Sequence, residues 1–361
     1  MKRLVVLEAR ATPSFVDALR RTWDDGDAVL PLDPRLPGPA RAEVLASARP
    51  DQPVVEGDAL VVATSGTTGA PKAVVLTHAA VAASATATSR RLGVDAGRDR
   101  WLACLPLAHV GGLGVVTRAL HTSTSLTVTE RTDAASLAAA AEAGCTLVAL
   151  VAAMLDRVDA AAFRALLLGG SAMPPQLPPN AVASYGMTET GSGVVYDGRP
   201  LDGVDLRIVD DEIQVRGPML LRAYRDGTDP KDGEGWLPTG DAGEVDAATG
   251  RLRVHGRVGD VIVTGGEKVW PTPVELALGR HPQVDEVLVV GRADPTWGER
   301  VVAVIVPADT SDTPSLDVLR DWVKQTLPPW AAPHELEVRG TLPRTALGKV
   351  IRQRGRARTR R

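Results

Sequence analysis

Two cysteines in 361 residues, Cys104 and Cys145, argue against a disulfide framework and against a thiolate metal site, and they suit a reducing compartment with both thiols in the core. Aromatic residues make up only 3% of the chain, so the core has to be built mostly from Ala, Val and Leu. Neither charge sign dominates: Lys+Arg 41 against Asp+Glu 44 leaves a net charge of -3, and nothing in that balance suggests a nucleic-acid binder. No apolar run is long enough to insert stably into a bilayer, and the opening MKRLVVLEAR is too short in its apolar part for a secretory signal. A soluble cytoplasmic protein is expected.

What is present organises into alternation. At 361 residues the chain exceeds what one core usually organises, and 44% hydrophobic residues can bury a substantial interior. Apolar runs at 28–32, 59–63, 101–105, 146–151 and 165–168 alternate with helical stretches such as 133–143, which predicts a layered α/β domain with a largely parallel sheet. From about residue 206 the pattern turns to short hairpins: 206–209 and 212–215 flank Asp210 and Asp211, and 251–255 follows Thr249 and Gly250. Beyond Arg257 a smaller α+β unit begins, with helices near 273–279 and 315–327 and strands near 287–290 and 301–306. The expected division is 1–256, a hinge at 257–260, and 261–361. The Arg-rich stretch 352–361 reads as a solvated, frayed terminus.

Residues 64–72, TSGTTGAPK, carry the most chemistry. The run 59–63 reads as a buried strand, and Thr77 with His78 opens an alanine-rich helix, which places the loop between strand and helix. Gly66 and Gly69 let backbone approach an anion, Thr64, Ser65, Thr67 and Thr68 offer hydroxyl donors, and Lys72 offers a cation. That set suits a polyphosphate. A Walker A loop needs Gly-Lys-Ser/Thr, whereas Gly69 is followed by Ala70, Pro71 and Lys72, which argues against an ordinary P-loop NTPase. A flexible surface turn is the competing reading.

Further blocks narrow the choice. Residues 184–190, SYGMTET, set Glu189 among hydroxyls, and its carboxylate suits Mg²⁺; the same spacing also suits a helix cap. Thr239, Gly240 and Asp241 place one acid after a turn, suited to ribose hydroxyls. Gly256 and Arg257, then Gly265, Gly266, Glu267 and Lys268, flank an apolar strand at 261–263, and 342–352, LPRTALGKVIR, presents Lys349 beside a glycine.

In this order the blocks resemble the adenylate-forming superfamily of acyl- and aryl-CoA synthetases, luciferases and peptide-synthetase adenylation domains, over residues 57–352. The resemblance implies a large layered N-terminal domain, a smaller mobile C-terminal one, and two half-reactions with ATP, Mg²⁺ and CoA. In the first a carboxylate becomes an acyl-AMP with loss of pyrophosphate, and in the second a thiol is acylated. It implies that Thr188 and the 64–72 loop hold phosphates, that Glu189 binds Mg²⁺, and that Gly169, Gly170, Ser171 and Ala172 border the adenine, with Tyr185 and Gly186 also at the nucleotide. Asp241 and Arg257 would take the ribose, and Lys349 would bridge the substrate carboxylate and the α-phosphate. Gly265 and Gly266 would reach the thiol tunnel after rotation about the hinge. The family usually has Asp or Lys where this chain has Gly259, so any side-chain anchor at the pivot is lost.

The acid has to be read from its pocket. Residues 106–114, PLAHVGGLG, match the family's pocket segment, with Gly112 inside it and His109 beside it; a core histidine is the alternative. Arg118 lies in an apparent helix of otherwise apolar residues, 112–120, where a cation needs an anionic partner. That partner is either a structural carboxylate or a second carboxylate on the substrate, which points within the family to ligases of aromatic dicarboxylic acids. Ser192 and Gly193 would border the aromatic ring. Other aryl- or acyl-CoA ligases, and a nonenzymatic nucleotide-binding protein, are the remaining readings, and a homodimer is left open.

Overall fold

The structure, a computed structural model, describes residues 1–64, 71–171, 173, 174, 176–343 and 352. The chain forms two compact units, one of residues 1–207, 214–238 and 246–252, the other of residues 208–213, 239–245 and 253–361.

Two mixed sheets build the first unit. The five-stranded sheet runs in the order Leu4–Glu8, Ala28–Leu32, Asp58–Thr64, Lys72–Thr77, Ala223–Tyr224. Its first three strands are parallel and its last two join antiparallel. The seven-stranded sheet runs Arg199–Pro200, Ser192–Tyr196, Ala181–Met187, Ala165–Leu168, Leu147–Leu150, Arg100–Ala103, Ser125–Val128. Its last five strands are parallel. Strands covered on both faces read as unbroken apolar runs, and Ala28–Leu32, Leu147–Leu150 and Ala165–Leu168 are buried along their whole length. Cys104 and Cys145 are both free and buried, as core residues should be.

One expectation is overturned. The glycine loop does not pass from strand to helix: a second strand, Lys72–Thr77, follows it, antiparallel to Asp58–Thr64 with Thr64 opposite Lys72. The apolar run Ala73, Val74, Val75 and Leu76 is too short for a period to declare it, and pairing with the neighbouring strand decides its conformation. The helix His78–Leu92 starts where expected, because the Thr77 side chain accepts from the Ala80 N–H at 3.1 Å. The loop therefore joins two strands, and no helix N-terminus follows it directly.

The helix Val110–His121 is buried from Gly112 to Ala119, which is how an apolar helix with no polar face behaves. Gly111, Gly112 and Gly114 weaken it by about 1 kcal/mol each relative to alanine. Close packing explains two of them. A Cβ at Gly112 would run into the carbonyl oxygens of Leu105 and Pro106, and one at Gly114 would sit 3.3 Å from the Ser192 hydroxyl.

The second unit holds a sheet in the order Glu267–Val269, Ile262–Thr264, Gly298–Pro307, Val284–Asp294, with Glu335–Val338 also pairing with Gly298–Pro307. Two strands are longer than the sequence suggests, and the helices Pro271–Leu278 and Leu316–Lys324 pack on them through Val274, Leu278, Leu319 and Val323. The Asp210–Asp211 turn is left-handed at both residues, φ 50° and 67°, as a tight hairpin requires. Residues 257–260 lie within this unit, Val258–Asp260 as a single 3₁₀ turn.

Candidate active site

In the first unit, Thr64 ends one strand of the hairpin and Lys72 begins the next, while Ser65, Gly66, Thr67, Thr68 and Gly69 lie outside the described residues. The Lys72 ammonium stands 4.8 Å from the centroid of the Tyr224 ring. The Tyr224 hydroxyl donates to Glu189 Oε1 at 3.0 Å, and Glu189 is 8% exposed. Burial first, and then the Glu189 charge and hydrogen bond, raise the Tyr224 pKa, so the phenol stays neutral and remains the donor.

Glu189 is presented by the 3₁₀ turn Thr188–Thr190 after the strand Ala181–Met187; the Thr190 hydroxyl closes that turn on Met187, accepting from its N–H and donating to its carbonyl, both at 2.9 Å. Among the described residues no three His, Cys, Asp or Glu side chains gather as a metal cage. A lone hard carboxylate does fit Mg²⁺ held mainly by phosphate oxygens and water.

Tyr185 and Gly186 lie on the strand paired with Ser192–Tyr196, and a Cβ at Gly186 would collide with the Ser192 carbonyl. Gly169, Gly170 and Ser171 follow the strand Ala165–Leu168. The Gly169 N–H donates to the Leu150 carbonyl at 3.2 Å, and a Cβ there would lie 2.7 Å from the Ser184 hydroxyl. Ala172 lies outside the described residues.

Arg118 is the most unusual side chain in the unit. It is 2% exposed, one guanidinium nitrogen donates to the Ser192 hydroxyl at 3.2 Å, and the group lies 4.9 Å from the Trp101 ring centroid. Its Nε and Nη1 have no hydrogen-bond partner, and no carboxylate among the described residues pairs with it, so the structural ion pair is not realised there. Burial lowers its pKa. Tyr196, whose hydroxyl is 3.0 Å from that of Thr88, is also fully buried, and a Cβ at Gly193 would meet its ring at 2.7 Å. Trp101 and Tyr196 were missed by sequence reasoning; only their aromaticity in an aromatic-poor chain could have flagged them.

His109 does not join this group. It is the N-cap residue of the helix, in extended conformation and without a side-chain capping bond, is exposed, and precedes Arg118 by nine residues, about 13 Å at the helical rise. Desolvation lowers its pKa, and the charges that act on it are Asp33 and Arg35, which pair with each other at 2.8 Å.

In the second unit, Arg257 Nε lies 3.1 Å from Asp241 and its Nη1 donates to the Thr239 carbonyl at 3.1 Å, so the two expected ribose residues form one ion pair. Gly265 and Gly266, both at positive φ, make the turn between Ile262–Thr264 and Glu267–Val269, a geometry that suits glycine. Two expectations need correction. Arg352 is not part of a solvated tail: it donates to Asp260 at 2.8 Å and to both oxygens of Glu275 at 2.6 and 2.7 Å. The stretch 257–260, expected as the pivot, therefore has a side-chain contact at Asp260, one residue after Gly259. Lys349 lies outside the described residues.

A lysine that opens the second hairpin strand, a buried carboxylate held by a tyrosine and a buried guanidinium with two partnerless nitrogens are the chemically unusual groups of the first unit. The chain belongs to the AMP-binding enzyme family, which residues 5–225 match, and residues 273–349 match that family's C-terminal domain. It is 39% identical over 377 residues to a probable 2-succinylbenzoate–CoA ligase of Mycobacterium tuberculosis, an alignment spanning 98% of this chain and 97% of that protein. To the 2-succinylbenzoate–CoA ligase of Escherichia coli it is 32% identical over 90% of this chain and 80% of that protein. The structure of o-succinylbenzoate CoA synthetase from Bacillus subtilis, in complex with its acyl-adenylate intermediate, superposes with a TM-score of 0.85 at 26% identity, covering 97% of this chain and 87% of that one. The expected adenylate-forming fold is the fold of this chain. No helix among the described residues is long and apolar enough to cross a membrane.

Proposed function

We propose that this chain is an AMP-forming acid–thiol ligase that joins 2-succinylbenzoate to CoA, giving 2-succinylbenzoyl-CoA, AMP and pyrophosphate, as a step of menaquinone synthesis. The observation that carries the choice of acid is Arg118, a buried guanidinium with two unpaired nitrogens beside Ser192. An acid with one carboxylate to activate and a second on its ring supplies the missing counter-charge, and a guanidinium grips a carboxylate through two hydrogen bonds. The relatives named above support the same reading.

The chemistry follows from the weakness of a carboxylate as an acyl donor. Its oxygen attacks the α-phosphorus of ATP, pyrophosphate leaves, and the acyl-AMP formed is then attacked at its carbonyl carbon by the CoA thiolate, with AMP departing. Lys72 and the hydroxyls of the 64–72 loop bind phosphate oxygens, Thr188 assists them, and Glu189 holds the metal. Mg²⁺ supplies positive charge to the polyphosphate. Gly169, Gly170, Ser171, Ala172, Tyr185 and Gly186 border the base, and Asp241 and Arg257 take the ribose. Lys349 offsets the charge that grows between carboxylate and α-phosphate. Gly112, Ser192 and Gly193 border the acid around its ring, and His109 would meet it only at the far end from Arg118. A pivot at 257–260, between residues 1–256 and 261–361, brings Gly265 and Gly266 to the thiol in the second step. A cytoplasmic location and a homodimer remain proposals; sedimentation decides the second.

Incubating the purified chain with ATP, Mg²⁺, CoA and 2-succinylbenzoate, and weighing the products by mass spectrometry, tests the reading. It expects the 2-succinylbenzoyl thioester together with AMP. Thioesters formed from benzoate or a fatty acid but not from 2-succinylbenzoate would assign the chain to another acyl- or aryl-CoA ligase.

A further inference from the structure

We propose that Tyr224 is a positioning residue for the phosphate and metal side of this site, holding the Glu189 carboxylate with its hydroxyl and the Lys72 ammonium with its ring. The inference rests on the reading of Glu189 as the Mg²⁺ ligand and Lys72 as a phosphate-binding cation.

The backbone around Tyr224 is fixed on both sides. Ala223–Tyr224 is a two-residue strand at the sheet edge, with Tyr224 opposite Val74, two residues after Lys72. The N–H groups of Arg222 and Arg225 donate to the carbonyls of Val75 and Ala73 at 2.9 and 2.8 Å. Before the tyrosine, Arg222 grips the buried Asp58 with two bonds of 2.9 and 3.0 Å. After it, Arg225 donates to the carbonyls of Ala48, Gln52 and Pro53 at 3.0, 2.7 and 3.0 Å. The same segment reaches Glu189 through its backbone, Leu221 N–H to the Glu189 carbonyl at 2.7 Å.

So short a strand between two arginine anchors has one evident product, a phenol ring held at a fixed place and angle. Its edge carries a donor to Glu189 Oε1, and its face carries the lysine. A neutral donor on one carboxylate oxygen fixes the rotamer of Glu189 without cancelling its charge, so the other oxygen remains available to a hard cation. Lysine on an aromatic face is steadied without a counter-anion, so its charge is still unspent when a phosphate arrives. Tyr224 thus sets two oppositely charged groups at once and touches neither phosphate nor metal.

The test uses ATP and MgCl₂ with no carboxylic acid present, so that no turnover occurs. ATP binding is followed by calorimetry, with and without Mg²⁺, and by unfolding temperature. Tyr224→Phe keeps the ring and loses the donor: the Mg²⁺ concentration that half-saturates ATP binding should rise about five-fold, with metal-free ATP binding unchanged. Tyr224→Leu removes both contacts and should also weaken metal-free ATP binding by a factor of about three. The unliganded unfolding temperature of Tyr224→Phe should fall by no more than a few degrees, the cost of one donor lost from a buried carboxylate. An unchanged Mg²⁺ requirement in Tyr224→Phe, while Glu189→Gln raises that requirement and Lys72→Ala weakens metal-free ATP binding, overturns the role of Tyr224 alone. If Glu189→Gln and Lys72→Ala leave both quantities unchanged, the underlying reading of the site falls with it.

Discussion

Replacing Arg118 with methionine keeps much of the side chain's volume and removes a buried charge, and the structure fixes the sign of two effects. Without a ligand the guanidinium has, among the described residues, one hydrogen bond, to Ser192, and one aromatic face, that of Trp101. Those are worth about 1 kcal/mol and about 0.5–2 kcal/mol, against several kcal/mol to desolvate the ion. Arg118→Met should therefore raise the stability of the ligand-free protein by about 1–3 kcal/mol, a Tm increase of a few degrees. Binding moves the other way. Losing a desolvated guanidinium–carboxylate pair weakens the pocket by about 2–4 kcal/mol, or roughly 30- to 1,000-fold in kcat/KM for 2-succinylbenzoate. An analogue without the ring carboxylate, 4-oxo-4-phenylbutanoate, never makes that pair, so its kcat/KM should change little and the preference between the two acids should collapse. Pyrophosphate release with each acid gives the four rate constants, and calorimetric unfolding gives the stabilities. A lower Tm together with equal losses for both acids would make Arg118 a structural residue and refute the argument.

Other perturbations follow from the same structure. Lys349→Ala should nearly abolish acyl-AMP formation yet leave thiolysis of supplied acyl-AMP largely intact; equal loss in both steps sinks its assignment. Arg352→Ala leaves Asp260 and Glu275 without their shared cation and should destabilise the chain by about 1–3 kcal/mol, with Arg352→Lys intermediate; thermal unfolding measures both. Chelating divalent metal should stop pyrophosphate release, and added Mg²⁺ should restore it; full activity in excess chelator removes the role of Glu189. Burial pushes the Cys104 thiol up to about 12, so iodoacetamide at pH 8 should leave the folded enzyme active, and rapid inactivation would contradict that burial.

How much of this was legible depended on whether a residue broke its local pattern. Arg118 stood out because a cation in an apolar helix contradicts its surroundings, and such conflicts mark function. Buried strands such as Ala28–Leu32 and Ala165–Leu168 declared themselves as uninterrupted apolar runs with clear punctuation. The strand Lys72–Thr77 did not, because four apolar residues carry no usable period and the capping signal at Thr77 pointed past them to the helix. Tyr224 was invisible for a different reason: it meets Glu189 across 35 residues of sequence, from a strand of two residues, and only the fold places them together. Arg352 was hidden by the arginines around it, whose composition suggests a solvated tail, while its actual partners come from Asp260 and Glu275 far upstream.

The central claim is that this chain adenylates an acid bearing two carboxylates and recognises the one it does not activate. Pyrophosphate release from ATP and Mg²⁺ without CoA, using equal concentrations of 2-succinylbenzoate, benzoate and decanoate, tests it directly. The account predicts a burst with 2-succinylbenzoate that approaches one pyrophosphate per active site and neither of the others near it. A larger burst with benzoate or decanoate, or none with any acid, would contradict it.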